Sequence, residues 1–305
     1  MLDPQELYRL DPDVPDLDRP VMVHALRGFI DAGSAGRIVR DHLLESFEHR
    51  VLATFDIDQL LDYRSRRPIM VFVEDHWESY DEPELLLHLV RDATGTPFLL
   101  LEGAEPDVQW ERFLAAVEVL VRRLGVRLSI GIHGIPMGLP HTRPTGVTAH
   151  ATKPELISGH EPWIGTVHVP GSVGNLLEYR LGRAGHDAMG FAVHVPHYLA
   201  AAEYPDAAKV LLEQVSQAAG LQLPAAELAV AAERTRAEID EQVSASEDVA
   251  AVVAALEQQY DAYVGARSED NLLAGRASFP TADELGAELE RFLADQGKSG
   301  DGRDG

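Results

Sequence analysis

The sequence predicts an α/β protein built on a mixed sheet and followed by a helical C-terminal region. Three observations carry this. Short apolar runs at 20–26, 51–56, 69–75, 84–91 and 97–103 follow one another with few helices between them, which argues for antiparallel pairs rather than strict alternation. Between Pro106 and Gly220, helical and strand patterns do alternate. Beyond Leu223 the chain turns rich in alanine and glutamate, with apolar residues at helical spacing.

In chain order, residues 1–19 are rich in proline and aspartate without apolar periodicity and read as a tail laid over the surface or disordered. PVMVHAL from Pro20 suits a buried strand. It enters GFIDAGSAG (28–36), where Gly28, Gly33 and Gly36 permit tight turns and Asp31 or Ser34 can cap the following helix. Strand, glycine loop and helix can present backbone N–H groups to an anion. The dinucleotide fingerprint is absent, however, and Asp31 would repel a phosphate. VLATFD and IMVFVED read as strands with a charged connection between them. PELLLHLVRD and PFLLLEG read as two more, joined by a turn at 93–96.

Trp110, Phe113, Leu114, Val117, Val121 and Leu124 recur at helical spacing, and Gly125 supplies the stop. The helix feeds an apolar strand (Leu128, Ile130, Ile132) that runs into VRLSIGIHGIPMGLPHTRPTG, holding His133, His141, Thr142 and Arg143 at a strand end. In open α/β sheets that is where ligands and partners dock. GTVHVPG (165–171) reads as another strand, with Gly171 and Ser172 opening a helix through Leu181. FAVHVPHY follows as a strand, then a helix from Pro205 to Gly220. Ala225–Val243 and Val249–Val264 form a helical hairpin, with Ser244 and Glu247 as a capping box. Pro280-Thr281 signals one further helix, and 297–305 a disordered tail.

Composition bounds the function. At 305 residues the chain can hold one large core plus an appendage. Fifty acidic against twenty-six basic residues give a formal charge of −24, which disfavours nucleic acid and anionic membranes; solubility is the ordinary reason for such acidity, and a basic protein partner is compatible with it. Without cysteine, disulfides, thiolate metal sites and cysteine nucleophiles are excluded. The acidic start lacks a signal-peptide pattern and no apolar run reaches membrane length, so the cytoplasm is the expected compartment.

Candidate chemistry is sparse. Of thirteen histidines, eight lie between His133 and His197, but no H-E-x-x-H or H-x-H pair appears, so no metal site is expected. His24, His133, His168 and His194 read as hydrogen-bonded histidines on strands beside the core. No G-x-S-x-G elbow is present. Glu74 and Asp75 at a strand end read as surface. Arg143, flanked by prolines, suits a carboxylate or phosphate, and a salt bridge to one of the many acids explains it equally well.

With these residues in hand, the chain resembles the proteasome assembly chaperone 2 family in its actinobacterial form. The resemblance is carried by GFIDAGSAG, by DYRSRRP with YDEPELLLHLV, by GTPFLLLEGAEPDVQWERF, by HGIPMGLPHTRPTGVTAHAT and by VPGSVGNLLEYRLGRAGHDAMGFAVHVPHYLAAAEYP. It spans residues 20–222. It implies a three-layer α/β/α core domain over 20–222, similar to the phosphorylase/hydrolase-like fold, and a helical region over 223–296. It also implies self-association and protein partners, proteasome subunits among them, without a cofactor. The hydrophobic–Tyr–X tail of some relatives is not matched by the final Gly-Arg-Asp-Gly.

Two functions stay open at this stage. One is a non-enzymatic assembly or interaction protein docking through Gly28, Phe29, Asp31, Gly33 and Ser34, through Pro140, His141, Thr142 and Arg143, through Gly171 and Ser172, or through the helical hairpin. The other is an enzyme or ligand sensor for a small anionic or nucleoside-like molecule, with Arg143 as anion clamp and His141 as acid or base.

Overall fold

The computed structural model describes residues 2–28, 30–163 and 165–268. Phe29, the helix expected from Pro280 and the tail at 297–305 lie outside the described residues. Eight strands form the main sheet: β1 (Tyr8–Leu10), β2 (Val21–Arg27), β3 (His49–Phe55), β6 (Leu85–Arg91), β7 (Pro97–Ala104), β8 (Leu128–Met137), β9 (Val147–Ala151) and β10 (Ala188–Pro196). Their order is β1-β3-β6-β7-β2-β8-β10-β9. The centre, β7-β2-β8-β10, is parallel, and the pairs flanking it are antiparallel. Two further strands, β4 (Met70–Val73) and β5 (His76–Tyr80), make a separate hairpin.

Strand alternation builds two cores, one on each face. On β2, Val21, Val23 and Ala25 face α1 (Ala35–Ser46) and α4 (Pro205–Ala219), joining Ile130, Phe191, Leu211 and Val215. Met22 faces the other way, toward α2 (Trp110–Arg123) and α3 (Val173–Arg183), with Leu99, Phe113, Val117, Leu177 and Leu181. Helices on both faces of a mixed sheet make the three-layer architecture that the family resemblance implied. The helical hairpin follows as α5 (Ala226–Ser244) and α6 (Glu247–Ser268). Among the described residues no helix is long and apolar enough to cross a membrane.

Three local expectations are corrected. The N-terminal segment is no loose tail, because Tyr8–Leu10 adds an edge strand to β3 and Leu7 is fully buried beneath it. The run 165–171 is not a strand, and His168 therefore does not sit on one. The free edge of β10 is taken by β9, which Thr152 anchors by exchanging hydrogen bonds with Ala188, so Val167 and Val169 are left exposed. The Ser244 hydroxyl donates back to the Glu241 carbonyl, and Ser246 stands before α6 instead, its hydroxyl 3.5 Å from the N–H of Val249. Glu74 and Asp75, read as surface at a strand end, are exposed in the turn between β4 and β5.

Candidate functional site

β2 and β8 are hydrogen-bonded only as far as His24 opposite Gly131, whereas β2 stays on β7 to Arg27 and β8 stays on β10 to Met137. Beyond His24 the two central strands part, opening a gap at their carboxyl ends where the connections leave in opposite directions. The loop after β2 drops into this gap. Asp31 accepts from the Gly134 N–H at 2.9 Å and from those of Gly36 and Arg37 at 2.8 and 3.0 Å, replacing the lost strand partner and capping α1 together. Gly33 (φ +66°) is held by Ala200 and Tyr204 main-chain bonds, and Ser34 makes no side-chain cap. The N–H groups that an anion would have used are thus taken by Asp31.

On the α2–α3 face, one row crosses four strands in register: His24, Gly131, Gly190 and His150. A Cβ on Gly131 would stand 2.7 Å from His24 Cε1, and one on Gly190 would meet the His150 ring. Gly131 therefore floors a trough beneath the His24 ring, and Gly190 leaves room for the His150 ring beside it, with His133 two residues past Gly131 on the same face. Ser172, Asn175, Glu178, Glu105 and Ile30 complete a cleft of about 40 Å³. His150 Nδ1 lies 2.8 Å from Glu178, and Glu105 Oε1 accepts from the Val173 N–H at 2.6 Å, at the start of α3. Ser172 caps that helix, accepting from Asn175 N–H at 3.2 Å.

Burial, with repulsion from its histidine neighbours, pushes His24 down to about 4. Burial and His150 hold His133 down to about 4 as well. Burial raises Glu105, against the opposing pull of the Val173 N–H and Arg66. The expectation that strand histidines are hydrogen-bonded holds for His194, whose Nε2 lies 2.8 Å from Thr148 Oγ1. It fails for His24 and His133, which line the cleft and make no hydrogen bond with any described residue.

Pro140–Pro144 lies elsewhere, under the helical hairpin. The His141 imidazole, 1 % exposed, spans Tyr198 Oη at 2.7 Å and Asp240 at 3.1 Å. Thr142 donates to Glu257, and Arg143 grips Asp261 through Nε at 2.8 Å and Nη2 at 2.7 Å, with Glu257 at 3.2 Å. The loop clasps α5 and α6 to the strand end. Of the residues singled out from sequence, Ser172 lines the cleft, Gly28 packs on Glu105, and Gly171 adjoins Trp110. Asp31, Gly33 and Ser34 form the loop behind it, and Pro140, His141, Thr142 and Arg143 do not reach it. Sequence reasoning missed the roles of His150, Glu105 and Glu178. The available signal was Gly131 and Gly190 inside strands, which marks a close approach.

A second feature escaped the sequence reading. The β4–β5 hairpin pairs Met70 with Tyr80 and Phe72 with Trp77, so these four share one face. All four are exposed, Trp77 by 62 %, and the rings of Phe72 and Trp77 meet edge to face at 5.1 Å. Neither strand packs substantially on any other described element. It is an arm.

Fold and site together define a three-layer α/β/α protein with a cleft at its central strand ends, an apolar β arm and a helical clasp. The chain belongs to the PAC2 family, whose family model matches residues 25–243. It is similar to a Mycobacterium tuberculosis protein of unknown function at 54% identity, covering 86% of this chain and 91% of that one with a TM-score of 0.83. A Corynebacterium glutamicum protein of unknown function is 40% identical over 85% of this chain and 98% of that one, with a TM-score of 0.80. A Mycobacterium tuberculosis proteasome-assembly chaperone homologue is 25% identical over 76% and 99%, with a TM-score of 0.70. No curated protein matches the chain by sequence.

Proposed function

We propose that this chain is a non-enzymatic, assembly-chaperone-like interaction protein that works as a homo-oligomer assembled through the β4–β5 arm. The arm carries the reading. An isolated two-stranded ribbon is marginal in water, and one presenting Met70, Phe72, Trp77 and Tyr80 needs a cover. A constantly exposed apolar face calls for a partner that is always present, and a second copy of the chain is one. The same patch on each copy is self-complementary about a two-fold axis. The family supports the chaperone-like role, and the proteasome link comes from the chaperone homologue in M. tuberculosis. In this reading residues 20–222 are the core domain and the helices beyond 223 a clasp over one rim.

Light scattering on purified wild type and on the Phe72→Ser, Trp77→Ser double variant tests the assembly. An oligomer that becomes monomer in the variant, with unchanged circular dichroism, is the expected result. A wild type that is monomeric at tens of micromolar, or a variant that stays assembled, defeats it. Mixing with purified proteasome core subunits tests the finer claim: co-elution supports it, and separate elution removes it.

A further inference from the structure

We propose that the glycine-floored trough is a binding site for a small organic cation, the ammonium head of a primary amine, and not for phosphate. The site is built. His24, 5 % exposed, lines it with no hydrogen bond to any described residue, and His133 lines it likewise unpartnered. Glu105 Oε1 is held by the Val173 N–H, while Oε2 accepts from no described residue. Glu178 stands at the far wall on His150.

The sign of the ligand follows from what is already satisfied. An anion at the start of α3 would use the free N–H groups of its first turn. There the Val173 N–H is taken by Glu105 and the Asn175 N–H by Ser172, so an internal carboxylate occupies the place of an anion. Arg66 approaches from the Gly28 side, yet it is held by Asp107 and the Arg27 carbonyl. The space is lined by the carboxylates of Glu105 and Glu178 and the imidazoles of His24, His133 and His150, which have lone pairs to offer, with Ser172, Asn175 and the single remaining first-turn N–H of Gly174 beside them. A donor-rich cation fits that set. Among the described residues no three histidine, aspartate or glutamate groups converge in a way that could hold a metal ion, which leaves an organic cation. The volume, about 40 Å³, has room for two or three water-sized groups, an amino group with a carbon or two.

Titration of the full-length protein with methylammonium and putrescine chlorides, at ionic strength fixed with sodium chloride, is read on the imidazole resonances, with His24→Asn and His133→Asn supplying the assignments. Saturable shifts of His24 and His133 are expected, weakened at least tenfold in Glu105→Gln, which keeps the shape and the Val173 bond. Sodium phosphate is expected to leave both resonances in place. No saturable amine response in the wild type overturns the proposal, as does a phosphate response at the same two histidines.

Discussion

Around Pro140–Pro144 the polar side chains are all fastened: His141 to Tyr198 and Asp240, Thr142 to Glu257, Arg143 to Asp261 and Glu257. In the trough, at the ends of neighbouring strands, His24 and His133 are fastened to no described residue and Glu105 by one oxygen. Both regions set histidine beside carboxylate. The difference is in satisfaction. A polar group whose partner is part of the fold is structural machinery. One that lines a cleft without a partner from the fold leaves a bond that a ligand can supply.

Acid breaks this contrast most strongly. His24 and His133 are held near 4 in the fold against an ordinary 6.5, so the unfolded chain takes up their protons first as pH falls. These two groups therefore leave native stability unchanged above pH 6.5 and lower it between 6.5 and 4, on the order of 3 kcal/mol for each imidazole. Urea unfolding at pH 7 and pH 5 should show a loss that is much reduced in the His24→Asn, His133→Asn double variant. An equal acid loss in both proteins would mean the two imidazoles do not carry it.

Glycine substitutions sharpen the contrast within the trough. Gly190→Ala sets a methyl against the His150 ring, and displacing a packed ring should cost about 1–3 kcal/mol and remove the amine response. Gly174→Ala places its methyl 3.7 Å from His24, an ordinary contact in a helix, and should be neutral or stabilising by up to ~1 kcal/mol. Thermal melts of the pair decide it. If both melt together, the glycine floor does not set the position of the histidines.

What the chain shows before folding is what is local. The runs of β2, β6 and β7, the stripe of α2 ending at Gly125 and the two helices of the hairpin are written in two-residue and 3.6-residue periods within single segments. The rest depends on pairing between distant segments. β1 and β9 are edge strands that exist because β3 and β10 offer them a place, and Val167 and Val169 alternate just as well without obtaining one. IMVFVED has strand chemistry, but nothing in it tells a sheet member from an arm. The trough is the extreme case: His24, Gly131, Gly190 and His150 come from four separate segments and become a row only by register. The Pro140–Pro144 rim, conspicuous for its prolines and Arg143, drew notice because punctuation is visible and partnership is not.

Arg143→Ala makes the smallest change and separates a clasp from a clamp. Its guanidinium ties a loop to α6 at the surface, where solvent and salt weaken such pairs, so global melting should scarcely move. The local effect should be larger. Without Arg143, Asp261 loses the partner that holds its carboxyl below the usual range, and α6 keeps Thr142–Glu257 and the contacts of Tyr260 and Tyr263 with Trp163. Amides in the middle of α6 should then exchange several-fold faster while those of β2 and β8 are unchanged, because local opening follows the contacts that remain. The amine response at His24 should be untouched. A variant whose α6 exchanges as in the wild type but whose trough no longer responds would make Arg143 part of the ligand site, and the division between the two regions would fall.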